Sequence, residues 1–105
     1  MSGAYHLPLR QGVSQDLAYT GSAATLANPF GSQTRVVRLC ATSACRFRVT
    51  EAANVVSAVT TDTLLPANWE TCVIIGPGQT ISAIRASTDG LVTATNGTLN
   101  VTELN

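Results

Sequence analysis

The sequence predicts an all-β domain: a small antiparallel β-sandwich, jelly-roll-like, with an extended N-terminal arm. Three observations predict it. Short runs rich in Val, Ile, Leu and Thr recur along the C-terminal two-thirds of the chain, turn residues cut off each run, and no amphipathic helix can be drawn in the first 33 residues. The 105 residues suffice for one core and not for two, so the division is into an arm over residues 1–33, with one strand in it, and a sandwich over residues 34–105.

Within the arm, weak alternation over Ser14–Thr20 marks the one strand, while Gly, Pro8 and Pro29 interrupt any other pattern. The next run, Arg35–Ala41, puts Val37, Leu39 and Ala41 on one face and Val36, Arg38 and Cys40 on the other. After Thr42-Ser43-Ala44 comes Cys45–Thr50, with Cys45, Phe47 and Val49 inward and Arg46 and Arg48 outward. Glu51–Ala58 could start a helix, but the β-branched Val55-Val56, Val59-Thr60-Thr61 and Thr63 favour an extended loop with a short strand over Glu51–Ala67. Glu70–Ile75 is followed by Gly76-Pro77-Gly78-Gln79, a tight turn with Pro second and Gly third, and a hairpin return through Thr80–Ala86. The last pair, Leu91–Thr95 and Thr98–Leu104, flanks Asn96-Gly97, whose tolerance of positive φ signals a type I′ hairpin. Leu99 and Val101 would then face the core, and Asn100 and Thr102 the outside. The expected core is Val37, Leu39, Phe47, Val49, Val73, Ile75, Ile81, Leu99 and Val101.

Composition narrows function more by exclusion than by indication. Charged residues are only 11% of the chain, with six acids against six bases, so little on the surface opposes association and a dimer or trimer is expected. All six bases are Arg, and four of them lie at 35, 38, 46 and 48. Arg suits interface ion pairs, although coding bias would give the same composition. Zero net charge argues against nucleic acid as the partner. No apolar run has the length of a membrane span and no signal peptide opens the chain, so synthesis in the cytoplasm is expected. The cysteines, Cys40, Cys45 and Cys72, read as free thiols acting as small hydrophobes, with a Cys40–Cys45 disulfide left open for an oxidising medium. They do not make a zinc set with the single His6. A nucleophilic triad lacks its base, and Asp16, Glu51, Asp62, Glu70, Asp89 and Glu103 stand singly as solvated or turn-capping groups. The reading is of a non-enzyme with no cofactor and no metal.

Four segments carry a family resemblance. Arg35-Val36-Val37-Arg38-Leu39-Cys40-Ala41-Thr42-Ser43-Ala44-Cys45, Leu64-Leu65-Pro66-Ala67 ahead of a strand, Pro77-Gly78-Gln79-Thr80-Ile81-Ser82-Ala83-Ile84, and Gly97-Thr98-Leu99-Asn100-Val101-Thr102-Glu103-Leu104 occur in that order. Together, over about residues 20–105, they resemble small tailed-bacteriophage virion proteins that are typically encoded near the major capsid protein. The resemblance implies a structural protein of the particle, a capsid decoration or cement protein on the outside of the major capsid protein shell. The alternative within the same class is a tail, baseplate or head-fibre module contacting the host surface; a ligand-binding sandwich would want more than five aromatics. On this reading the contact residues are Tyr5, Leu7, Leu9, Leu17 and Tyr19, arm anchors that need another surface to bury them, together with Arg46 and Arg48, which would meet carboxylates of the major capsid protein.

Overall fold

The structure is a computed structural model and describes residues 11–86 and 95–104. Within them lie eight strands: β1 (Gln11–Tyr19), β2 (Ala24–Thr25), β3 (Val36–Ala41), β4 (Cys45–Glu51), β5 (Thr63–Leu65), β6 (Glu70–Ile74), β7 (Gln79–Arg85) and β8 (Gly97–Leu104). They form two antiparallel four-stranded sheets, β1-β8-β3-β6 (the first sheet) and β2-β7-β4-β5 (the second), packed as a sandwich. The pairing is nested: β1 pairs with β8, β2 with β7, β3 with β6 and β4 with β5. Apart from β4 and β5, consecutive strands lie in opposite sheets.

Alternation in the strands builds the core. In β3, Val37, Leu39 and Ala41 are buried, while Val36, Arg38 and Cys40 are half-buried on the outer face. β4 buries Cys45 and Phe47, β7 buries Ile81 and Ala83, and β8 buries Leu99 and Val101. Of the nine residues expected inside, seven are buried and Val49 and Val73 pack partly buried against them. Leu17, Tyr19, Leu26, Phe30 and Leu65 join the same cluster.

Residues 11–33, the described part of the expected arm, contribute a strand to each sheet. β1 pairs with β8 from Gln11 to Tyr19, with an irregularity between Gln11 and Ser14, and the chain then crosses to β2 in the second sheet. Leu26 N–H donates to the Ile81 carbonyl and Phe30 N–H to the Gln79 carbonyl, which closes one side of the sandwich. Residues 1–10, with Tyr5, Leu7 and Leu9, lie outside the described residues.

Two expected hairpins are replaced by longer-range pairings. Gly78 has φ of 76° and Gln79 N–H reaches the Gly76 carbonyl at 3.4 Å, so the Gly76–Gln79 turn forms as expected. The strands on either side nevertheless go to different sheets, since an unprimed turn splays its flanking strands instead of matching their twist. Asn96-Gly97 is no type I′ turn: among the described residues only Asn68 and Gly78 have positive φ. Both edges of β8 are taken, by β1 and β3, which leaves no edge for a hairpin partner. Residues 91–94 of the expected Leu91–Thr95 strand lie outside the described residues. Thr102 does project from the outer face, but it is buried there between Ser14 of β1 and Arg38 of β3, both directly opposite it.

Candidate functional site

The outer face of the second sheet carries polar side chains that another segment of the chain covers. Thr50 on β4 and Thr80 and Ser82 on β7 point away from the core yet are buried, because residues 52–62 fold across them as a strap. Val56 N–H donates to Thr50 Oγ1 at 2.8 Å, Ala58 N–H to Ser82 Oγ at 2.9 Å, and Ala52 N–H to the Gly78 carbonyl at 2.9 Å. Ala58 is the buried residue of the strap, and an extended loop thus satisfies its backbone on hydroxyls where no strand ladder is available.

Asp62 fastens the far end. Arg48 Nε and Nη2 donate to Asp62 Oδ2 and Oδ1, both at 2.8 Å, a bidentate pair. Val59 N–H donates to Asp62 Oδ2 at 2.9 Å, and Arg46 Nη1 to the Asp62 carbonyl at 3.2 Å. The bonds from Arg48 outweigh desolvation and hold the Asp62 carboxyl below the usual carboxylate range, while Asp62 in turn raises the Arg48 guanidinium. Beside this pair is an open groove of about 440 Å³ lined by Arg48, Val49, Thr50, Glu51, Asn54, Val56 and Asp62. Its charged groups are already engaged: Glu51 Oε2 accepts from Gln79 Nε2 at 2.8 Å, and Arg48 and Asp62 hold each other.

Placed on this geometry, the expected contact residues divide. Arg46 and Arg48 do not form a free basic face, because both bind Asp62. Leu17 and Tyr19 need no foreign surface, because both are buried in the chain's own core. Tyr19 Oη donates to the Ser43 carbonyl at 2.7 Å and accepts from Ser43 N–H at 3.2 Å, tying β1 to the β3–β4 connection. The remaining arginines of the cluster also have partners in the chain: Arg35 on the Ser32 carbonyl at 3.2 Å and Arg38 facing Glu70 at 3.6 Å. Glu103, expected at the surface, is buried and accepts from Thr34 Oγ1 and from Gly31 N–H at 3.3 Å.

Cys40 and Cys72 are half-buried on the outer face of the first sheet and Cys45 is buried in the core; all three are free. Cys40 and Cys45 thus occupy opposite sides of a sheet layer, and no disulfide joins them. Burial pushes the Cys45 thiol up to about 11. No group of three or more His, Cys, Asp or Glu among the described residues is arranged to hold a metal ion.

What remains exposed and apolar is the surface that composition did not locate. Val55, Val56 and Val59 stand 45–49% exposed on the strap, Trp69 and Ile74 are 62% and 83% exposed at the two ends of β6, and Val13 is exposed on β1. A signal for the strap was present in the Thr and Ser residues set among the apolar positions of β4 and β7. Compared with protein-family models, with curated proteins and with solved structures, the chain matches none.

Proposed function

We propose that the chain is a structural virion protein of a tailed phage, a jelly-roll sandwich that decorates the major capsid protein shell and docks through the strap on its second sheet. The observation that carries the docking surface is the strap itself. It presents Val55, Val56 and Val59 to solvent, yet main-chain bonds to Thr50 and Ser82 and the Arg48–Asp62 pair hold it in place. A fixed apolar patch loses little conformational entropy on binding, and the strap's one charge, Asp62, is already paired with Arg48. The nested pairing supports the architecture, since a first-to-last arrangement of eight strands in two sheets is the wiring of a jelly roll, a fold used by viral capsid domains among others. The resemblance over residues 20–105 supports the particle.

Decoration is tested by adding the purified chain to particles lacking it and counting bound copies against the major capsid protein by mass spectrometry. Hundreds of copies per particle are expected of a shell protein; a few, or no binding, would remove the decoration reading. Val55→Asp with Val59→Asp should abolish binding without lowering the melting temperature, because neither side chain belongs to the core.

A further inference from the structure

We infer that the free edge of β6 is a self-association edge, at which a second copy adds its own β6 antiparallel about a two-fold axis midway between the two Cys72 residues. In the first sheet β6 pairs with β3 alone, and no described strand covers its other side. Ile75 N–H donates to the Arg35 carbonyl at 2.8 Å, which sets the phase of the ladder. Bonded pairs alternate along an antiparallel ladder, so Val73 and Thr71 turn their main-chain groups toward Val37 and Leu39 of β3. Glu70, Cys72 and Ile74 therefore point N–H and C=O off the sheet. What fits such a row is another extended strand.

The other sheet edges are protected and this one is not. β2 has two residues and β5 three, too short to template a partner. The β1 edge is interrupted by an irregularity between Gln11 and Ser14 and carries Asp16, and the segment after β2 lies beside it, where Gln15 Nε2 donates to the Asn28 carbonyl at 3.1 Å and Gln15 Oε1 accepts from Asn28 N–H at 3.4 Å. β6 presents five residues, and the single charge among them, Glu70, faces its own Arg38.

A second copy is the occupant because the strand is complementary to itself. The free-edge groups belong to residues 70, 72 and 74, which are symmetric about Cys72; pairing Cys72 with Cys72 of the second copy sets each Glu70 opposite Ile74. Each pair exchanges two bonds, so about six main-chain bonds form. Thr71 and Val73 continue the inner face, and exposed Ile74 lies against the aliphatic stem of Glu70. The two Glu70 carboxylates stay at opposite ends of the new ladder, about 14 Å apart at 3.4 Å per residue. The net charge of zero adds no long-range repulsion.

This inference stands apart from the capsid reading, since the isolated chain decides it without particles. Sedimentation velocity of the full chain across the micromolar range should show a dimer. Cys72→Lys and Cys72→Glu each place like charges across the two-fold and should sediment as monomers with an unchanged β circular dichroism spectrum, whereas mixing the two should restore the dimer. A wild-type chain that stays monomeric at every concentration, as expected if the edge serves another protein's strand, overturns the inference, as does a dimer that survives both single substitutions. Should either variant fail to fold, Cys40→Ser protein treated with a short bismaleimide reads the same axis: a covalent dimer through Cys72 is expected, and only monomer refutes it.

Discussion

Replacing Tyr19 by Phe removes one oxygen from a side chain that is 1% exposed, and everything else about the residue stays in place. That oxygen donates to the Ser43 carbonyl at 2.7 Å, accepts from Ser43 N–H at 3.2 Å and lies 2.8 Å from Ser43 Oγ, which itself reaches the Thr95 carbonyl at 3.1 Å. Without it, a buried N–H and a buried carbonyl at the β3–β4 connection lose their partner where water has no access. Leaving such groups unsatisfied costs about 1–3 kcal/mol. In a domain of this size each kcal/mol shifts the melting temperature by roughly 4–8 °C, so Tyr19→Phe should melt several degrees or more below wild type. Urea titrations should show a lower midpoint at an unchanged slope, the sign of lost stability in an intact fold. Were Tyr19 an anchor for a partner, the isolated variant would keep its midpoint and lose only binding. An unchanged midpoint would refute the hydrogen-bond argument.

Three further outcomes follow from the same geometry. Gly97→Ala should destabilise by about 1–3 kcal/mol, measured by urea unfolding, because an added Cβ would clash with Ser43 Oγ and sit 2.7 Å from Tyr19 Oη and 2.8 Å from Thr42 Oγ1. Asp62 has a depressed folded pKa, so its contribution is fully present above the unfolded value of about 3.9 and is lost as pH falls through the folded one. The stability gap between wild type and Asp62→Asn should therefore be constant from neutral pH to about pH 5 and close below about pH 4; a gap that widens with acid would contradict the pairing. A thiol reagent at neutral pH should modify Cys40 and Cys72 in the native chain but Cys45 only on unfolding, since burial both hides that thiol and raises it to about 11.

The strands were legible and their partners were not, for a reason that lies in the wiring. Alternation is a local property, so Val37, Leu39, Phe47 and Val101 declare their inward face within a window of a few residues. Pairing here is mostly remote: Leu17 lies opposite Leu99 and Ala24 opposite Ala83. Local turn chemistry is weak evidence for such partners. Gly76-Pro77-Gly78 formed the expected turn and still did not make a hairpin, because the turn type determines how the chain bends and not which sheet receives the next strand. The same remoteness hid the first strand. Gln11-Gly12-Val13-Ser14 is exposed, Val13 included, because β1 lies at a sheet edge, and only Leu17 and Tyr19 at its far end reach the core.

The arginines show why a surface is harder to read than a core. Arg46 and Arg48 alternate with buried residues, and that pattern correctly assigns them to the outer face of β4. It cannot reveal that Asp62, fourteen residues beyond Arg48, returns over the same face and takes up both donors. An exposed arginine and one fastening a strap have the same periodicity; they differ in what covers them. Small hydroxyl residues at outer-face positions, Thr50, Thr80 and Ser82, were the better guide, since they can accept main-chain donors from a segment laid over the sheet, as Thr50 and Ser82 do. Once that strap is in place, Arg48 is neutralised by Asp62 and Arg46 is held on the Asp62 carbonyl, and the apolar side chains left on the strap, Val55, Val56 and Val59, become the surface that a partner would meet. The site is therefore a product of the strap's return path, so substituting Asp62 should loosen the presentation of all three valines together, whereas substituting any one valine leaves the strap in place.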